Sequence, residues 1–508
     1  MGRALGQMLV GALLENAAIR FPDAPALLCA DTGRRFTFAE LDARANRLAH
    51  AIEGLGIAKG DVLAFVVSNR AELIDIYFAL ARTGVIGIPV NYRLAAAEIR
   101  DLAQSMGAHG IIYEDRFAEL TAPTAKAVQT VIRIGDAPPS DGEHDYHRLL
   151  DNASADKLDR NIREDDPYYF NLTSGTTGLP KSYLLSQYNN STLGPFFQTF
   201  EMSRQDMVMT VFPAFGRVGV AWILAAIYYA IPNVLTNFEP QRALQLMDNE
   251  GVTIVNLVPT MAAMMLQARA AGAPRPDALR AIVFAGASLP QSVLAKTQEN
   301  LCGQVYEYYG MQELGAVVVS TPEDRLRRPA SQGKPILFAD VLVVDDEGQP
   351  VPPGERGEVL GRTPGAVTAY FENPEKSAET FRDGWVHTGD LGIMDEQGYL
   401  TIVGRKKDMI VTGGQNVHAS EVEDVLLLHP NIDDAAVFGL PHEMWGEQVT
   451  ALLVISGDGP DDEALTAFCR EMLAGFKIPK VFHRQSEALP RTPTGKVQKF
   501  LLVERFTD

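Results

Sequence analysis

The run Leu172-Thr173-Ser174-Gly175-Thr176-Thr177-Gly178-Leu179-Pro180-Lys181-Ser182 decides how this chain is read. It gathers hydroxyls, glycines and one lysine into a space fit for a triphosphate. An apolar, β-prone stretch, Tyr168 to Leu172, leads into it, and Ser182-Tyr183-Leu184-Leu185 beyond it reads as strand rather than helix. Glycines let the main chain turn and bring its N–H groups close to a ligand. A cluster of such groups makes an anion-binding nest, and Lys181 adds a point charge. The P-loop pattern G-x-x-x-x-G-K-[ST] fits Gly175 to Ser182 except that Pro180 stands where the second glycine should be. Proline has no N–H and a fixed φ, so it cannot supply that turn. The plain alternative is a polar turn, which the same residue types also build.

Composition narrows the classes. The chain has 508 residues, 46% hydrophobic and 21% charged, as in a soluble globular protein with material for a large core. Its length suggests about three domains. A net charge of −19 argues against nucleic acid as a partner. An anionic substrate must then be drawn by a local basic site. Cys29, Cys302 and Cys469 are too far apart for a CxxC motif or a disulfide framework, and the nine histidines show no metal-ligand spacing. Buried thiols in a reducing, cytoplasmic setting are expected. No secretory signal is evident, because the apolar run Met8 to Leu14 is short and followed by Glu15. Val218 to Pro232 is too short to span a membrane and reads as a buried helix walling a pocket.

Periodicity gives the organisation. Thr37 followed by Glu40 is a capping box opening a helix through Ile52. Val62 to Val67 and Val85 to Val90 read as strands around a helix at Ala71 to Thr83. Gly135 to Gly142 is a turn-rich loop, Thr253 to Leu257 and Ile282 to Phe284 are further apolar strands, and Pro290 opens a helix. Such alternation predicts an α/β fold of mostly parallel sheets covered by helices. From about 338 to 403 short strands and Asp-Asp-Glu-Gly and Pro-Pro-Gly turns predict a β-rich subdomain. Beyond a charged break at Gly404 to Asp408, a helix at Ser420 to Leu428 and strands at Asp434 to Leu440 and Thr450 to Ser456 predict a small α+β domain.

Four later segments join the loop: Tyr308-Tyr309-Gly310-Met311-Gln312-Glu313, Trp385-Val386-His387-Thr388-Gly389-Asp390, Gly404-Arg405-Lys406-Lys407-Asp408, and Pro490-Arg491-Thr492-Pro493-Thr494-Gly495-Lys496. In this order and spacing the chain resembles the adenylate-forming superfamily of acyl-CoA synthetases, luciferases and peptide-synthetase adenylation domains. The resemblance covers nearly the whole chain. It implies an N-terminal domain over 1–404, a hinge at 405–407 and a mobile C-terminal domain over 408–508.

The resemblance also implies roles. Thr173, Ser174, Gly175, Thr176, Thr177 and Lys181 would clamp the ATP phosphates, and Thr173 and Glu313 would hold Mg2+. Tyr309 would lie against adenine, Asp390 would take the ribose hydroxyls, and Arg405 would contact ribose or phosphate. Gly286, Ala287 and Ser288 would border the adenine and acyl pocket, with Gly310 and Gln312 beside the acyl-adenylate. Lys496 would approach the carboxylate and α-phosphate and, with Glu313 and Thr173, carry the catalysis. After rotation at Lys407, Gly413 and Gly414 would admit the pantetheine arm of coenzyme A, whose nucleotide would meet Trp445, Phe476, Lys477 and Lys480. The bland readings are a core aromatic for Tyr309, a helix-cap carboxylate for Glu313, a turn former for Asp390, and solvated lysines for Lys407 and Lys496.

Three positions depart from the common pattern. Ser182 replaces a glycine, Gln312 replaces a threonine, and Gly216 stands where acyl-CoA synthetases usually carry a gating histidine. Phe215, Gly216 and Arg217 would line the acyl pocket, Arg217 either anchoring a polar group of the substrate or being paired elsewhere. No aspartate in this segment serves a substrate ammonium, which argues against an α-amino acid. The expectation is an ATP- and Mg2+-dependent carboxylic acid:CoA ligase, with a carrier-protein loader and a non-catalytic binding protein as alternatives. A homodimer and control by a lysine acetyltransferase acting on Lys496 complete it.

Overall fold

The structure is a computed structural model that describes residues 7–172, 181–287, 289–455, 459–491 and 497–507. Thr173, Ser174, Gly175, Thr176 and Thr177, together with Ser288 and Lys496, lie outside the described residues.

The capping box forms as its spacing requires. The Glu40 N–H donates to Thr37 Oγ1 at 3.2 Å and the Thr37 N–H to Glu40 Oε2 at 2.8 Å. The helix Phe38–Gly54 buries Leu41, Ala45, Leu48, Ala49 and Ile52, one stripe at helical spacing. Each large apolar side chain so buried contributes about 1.5–3 kcal/mol. The next helix, Ala71–Thr83, is buried on nearly every side and ends at Gly84, whose φ of +75° suits glycine. It nevertheless carries two acids. Asp75 pairs with Arg44 at 2.5 Å and accepts from Tyr146 Oη at 2.8 Å, and Glu72 accepts from Arg70 at 2.7 Å and Arg34 at 3.1 Å. Pairing of this kind offsets the cost of burying their charges.

Four sheets form within the described residues. A seven-stranded sheet, parallel but for one edge, runs Glu143–Asp145, Thr130–Ile134, Ala108–Glu114, Val62–Val66, Ile86–Pro89, Pro167–Leu172, Ser182–Ser186. Its last two strands are the antiparallel pair that brackets the hydroxyl-rich loop, with Leu172 opposite Ser182. A nine-stranded sheet has the parallel strands Val208–Thr210, Ile254–Leu257, Ala281–Phe284 and Val305–Met311 near its centre. The helix Arg217–Tyr229 packs against it and is buried along most of its length, as its composition required.

The β-rich segment forms a five-stranded antiparallel sheet from Asp340–Val344 to Leu400–Arg405. Its last strand runs on through Gly404 and Arg405, which pair with Leu391 and Asp390, so the chain leaves this sheet only at the short turn Lys406–Asp408. Beyond it lies a smaller unit with its own core of Ile410, Val417, Val422, Leu426, Val437 and Leu453. Its hairpin, Ile432–His442 with Gly446–Ile455, extends further toward its tip than the expected strands Asp434 to Leu440 and Thr450 to Ser456, which puts Trp445 at the hairpin tip. The whole is the expected α/β class, a large unit of parallel sheets followed by a small α+β unit.

Candidate active site

Ligands of open α/β sheets gather outside the carboxyl ends of the strands. The strand Val305–Met311 ends there and delivers Tyr309 and, just beyond, Gln312 and Glu313. The strands Trp385–Met394 and Leu400–Arg405 bring Asp390 opposite Arg405. Three residues far apart in sequence thereby join. Tyr309 Oη donates to Asp390 Oδ2 at 2.7 Å, and Arg405 Nε lies 3.1 Å from Asp390 Oδ1. Burial first, and then the Asp390 charge, push the Tyr309 phenol well above its usual value, so it stays protonated and donates. Among the described residues each Asp390 oxygen has one side-chain partner, and a carboxylate oxygen has a second lone pair for a further donor such as a ribose hydroxyl. The backbone N–H of Asp390 donates to Thr388 Oγ1 at 3.0 Å across Gly389, at φ +68°, where the strand pairing shifts register.

A second group surrounds Glu313. The carboxylate is buried, Tyr370 Oη donates to its Oε1 at 2.7 Å, and the Val367 N–H donates to its main-chain oxygen at 2.9 Å. Lys181 Nζ stands 5.6 Å from the centre of the Tyr370 ring. Burial first, and then the charge of Lys376, lower the Lys181 pKa, with Lys407 adding to the same effect. Lys407, exposed at the turn, is thus close enough to be felt at the end of the loop. The Glu313 donor set is hard oxygen. Among the described residues no group of three His, Cys, Asp or Glu could hold a metal by itself. A single carboxylate that shares the ion with substrate phosphates is the arrangement that suits Mg2+.

The departures from pattern fit their surroundings. Ser182 is buried in its strand and its carbonyl accepts from the Phe371 N–H at 2.7 Å. Gln312 Oε1 accepts from Asn171 Nδ2 at 3.1 Å, which leaves its NH2 end to donate. A Cβ built on Gly216 would have Pro213 O, 3.6 Å away, as its nearest neighbour, so the backbone does not demand glycine there. Gly310 differs, since a Cβ would fall 2.1 Å from Gly315 O; the neighbouring strand accounts for it. Gly286, at φ +84°, and Ala287 follow the carboxyl end of Ala281–Phe284. Phe215 meets Tyr92 edge-on at 5.3 Å. Arg217 is buried with its guanidinium on the carbonyl oxygens of Gln312 and Gly365.

The residues expected to meet coenzyme A lie on the small unit. Gly413 and Gly414, at φ +56° and +76°, make a tight hairpin turn in which left-handed backbone favours glycine. The Gly413 N–H donates to Trp445 O at 2.8 Å, and a Cβ on Gly413 would lie 2.9 Å from the indole. Trp445 is half exposed. Lys477 is held by Glu421 at 2.6 and 2.8 Å beside the partly exposed Phe476.

Sequence reasoning missed Tyr370, Tyr183 and Asn171. Tyr370 sits in Ala369-Tyr370-Phe371-Glu372-Asn373-Pro374, where Asn373 caps the helix Pro374–Thr380, and that cap signal marks the segment but not the hydroxyl's target.

The comparisons agree along the chain. Residues 14–371 match the model for AMP-binding enzymes, and 421–496 match the AMP-binding enzyme C-terminal domain. A fatty acid–[acyl-carrier-protein] ligase of Streptomyces coeruleorubidus is 32% identical over 96% of this chain and 94% of its own. A long-chain-fatty-acid–CoA ligase of Mycobacterium tuberculosis is 31% identical over 98% of each chain. The o-succinylbenzoate CoA synthetase of Bacillus subtilis, solved with its acyl-adenylate intermediate, superposes with a TM-score of 0.85 at 28% identity, covering 96% of this chain and 97% of that one. Fold, site geometry and these matches lead to one conclusion: the chain belongs to the AMP-binding enzyme family.

Proposed function

We propose that the protein is an acid–thiol ligase that forms AMP, joining a carboxylic acid to coenzyme A through an acyl-adenylate. The observation that carries this reading is the pair of adjoining groups, Tyr309–Asp390–Arg405 and Glu313–Tyr370–Lys181, built around one strand end. The first suits adenosine. The second suits phosphates.

In the first step a carboxylate oxygen attacks the α-phosphorus of ATP, the bond to pyrophosphate breaks, and the oxygen stays bridging acyl and phosphate. In the second, the thiol sulfur attacks the acyl carbon, the carbon–oxygen bond breaks, and AMP leaves with that oxygen. Such chemistry rests on positioning and electrostatics. Asp390 and Arg405 orient the ribose, Tyr309 lies against adenine, and Lys181 with Thr173 to Thr177 holds the phosphates. Glu313 and Thr173 would hold Mg2+, which supplies charge neutralisation on the triphosphate. Lys496 brings a cation to the oxygens where charge develops. Domain 408–508 rotates about Lys407 to present Gly413 and Gly414 to the thiol, with Trp445, Phe476 and Lys477 receiving the nucleotide of coenzyme A.

The carrier-protein ligase among the relatives favours one second reading, transfer to a phosphopantetheinylated carrier protein. Mixing protein, ATP, Mg2+ and a panel of acids with either free coenzyme A or such a carrier separates them. Acyl-CoA by mass supports the first; pyrophosphate release with acyl-carrier alone supports the second. Nucleotide binding with no AMP from any acid favours a binding protein of the same fold. A cytoplasmic location fits three cysteines that are buried and unpaired, and no described helix is long and apolar enough to cross a membrane. A homodimer and acetylation of Lys496 by a lysine acetyltransferase belong to the same proposal; acetylated protein with full adenylation activity would remove the latter.

A further inference from the structure

We propose that Arg217 is a positioning residue that sets the place of the Glu313 carboxylate, and is not a contact for the substrate acid. The inference rests on the reading of Glu313 as the carboxylate that holds the metal. The guanidinium, buried at the first turn of the helix Arg217–Tyr229, donates through one nitrogen to Gln312 O and through another to Gly365 O. Gln312 O also accepts from Tyr183 Oη at 2.5 Å, so two donors converge on the carbonyl that immediately precedes Glu313.

The second arm reaches the other support of the same residue. Two residues after Gly365, the Val367 N–H donates to Glu313 O at 2.9 Å, and Tyr370 Oη donates to its carboxylate at 2.7 Å. That segment is pinned in turn by Asn189, whose Nδ2 donates to Pro364 O at 3.0 Å and Ala366 O at 2.9 Å. Arg217 therefore ties the strand end that carries Glu313 to the loop that grips it. The space is cut to the fork: a Cβ on Gly365 would lie 3.0 Å from Arg217 Nη2, and one on Gly315 3.5 Å. A planar guanidinium spans two carbonyls in fixed geometry, which a lysine ammonium does not. Among the described residues no carboxylate forms an ion pair with Arg217, so its hydrogen bonds are directional ties rather than charge neutralisation.

The test uses the full chain and four variants: Arg217→Met, Arg217→Lys, Gly365→Ala and Glu313→Gln. Binding of ATP is measured by calorimetry with and without Mg2+, alongside the Mg2+ concentration that half-activates adenylation and KM for one polar and one apolar acid. Circular dichroism melts identify any variant that fails to fold; Gly365→Ala crowds the fork while keeping every hydrogen-bonding group and stands in for Arg217→Met in that case.

Supporting residues around a metal ligand are worth about 10- to 100-fold in affinity. The expected result is a loss of about 10-fold in the Mg2+-dependent part of ATP binding for Arg217→Met. Gly365→Ala moves the same way, Arg217→Lys does not restore it, and both acids change KM alike. Selective loss of the polar acid in Arg217→Met would make Arg217 an anchor and overturn the inference. Full recovery in Arg217→Lys would reduce its role to charge. Unchanged Mg2+ dependence in Arg217→Met and Gly365→Ala, with Glu313→Gln altered, would sever Arg217 from Glu313. If Glu313→Gln itself leaves Mg2+ dependence untouched, the metal reading falls and the inference with it.

Discussion

At Asp390 each carboxylate oxygen already holds one partner, Tyr309 on one and Arg405 on the other. The carboxylate is thereby held in place, and under the proposed function a ribose would add to it without rearrangement. Asp390→Asn removes the charge that attracts Arg405 and halves the acceptor capacity. Hydrogen bonds to charged groups contribute about 1.5–3 kcal/mol, so kcat/KM for ATP should fall by about 10- to 100-fold with the melting temperature little changed. Gly216 gives a contrasting prediction. The Cβ added in Gly216→His meets only Pro213 O, at an ordinary contact distance of 3.6 Å, so the variant should fold. It should shift the range of accepted acids toward smaller ones, read from an acid panel. Tyr309, Glu313, Asp390 and Arg405 were legible in the sequence because each sits in a motif. Tyr370 and the ties of Arg217 were not. A hydroxyl meeting a carboxylate 57 residues away, or a guanidinium on two main-chain carbonyls, leaves no local pattern.

Among the elements, the helices Phe38–Gly54 and Ala71–Thr83 were readable from apolar spacing and caps. The charges buried between them were not, because acids in a helix read as a solvated face. Arg44→Met would leave the Asp75 carboxylate buried without its cation, and breaking such a pair costs about 3–5 kcal/mol; denaturant unfolding measures it. Glu72 gives a pH prediction. Burial alone would raise its pKa, but the hydrogen bond and charge of Arg70 outweigh burial and hold it below 4.5. A carboxylate depressed on folding adds stability above its unfolded pKa and loses it as pH falls through the lower folded value. The melting temperature should therefore drop on acidification below about pH 4.5, and less steeply in Glu72→Gln. Strand ends were the least readable feature: the hairpin Ile432–His442 with Gly446–Ile455 extends into polar residues that its pairing partners, not its sequence, recruit.

For the whole molecule, the α/β class and the order of large unit, β-rich sheet and small unit followed from composition and alternation. Among the described residues the small unit meets the large one through contacts such as Ser420 Oγ donating to Val403 O at 3.0 Å and Arg356 meeting His418. Under the proposed rotation about Lys407 the two half-reactions are separable: Lys496→Ala should abolish most adenylation yet keep thioester formation from supplied acyl-adenylate, and equal loss of both would remove Lys496 from its proposed role.

The fate of one oxygen tests the acyl-adenylate directly. Acids carrying heavy oxygen in the carboxylate are supplied with ATP, Mg2+ and coenzyme A, and the nucleotide product is weighed by mass spectrometry. An acyl-adenylate path yields AMP that has gained one heavy oxygen for each thioester formed. Label appearing in inorganic phosphate with ADP as the nucleotide product, or AMP that carries none, would contradict it.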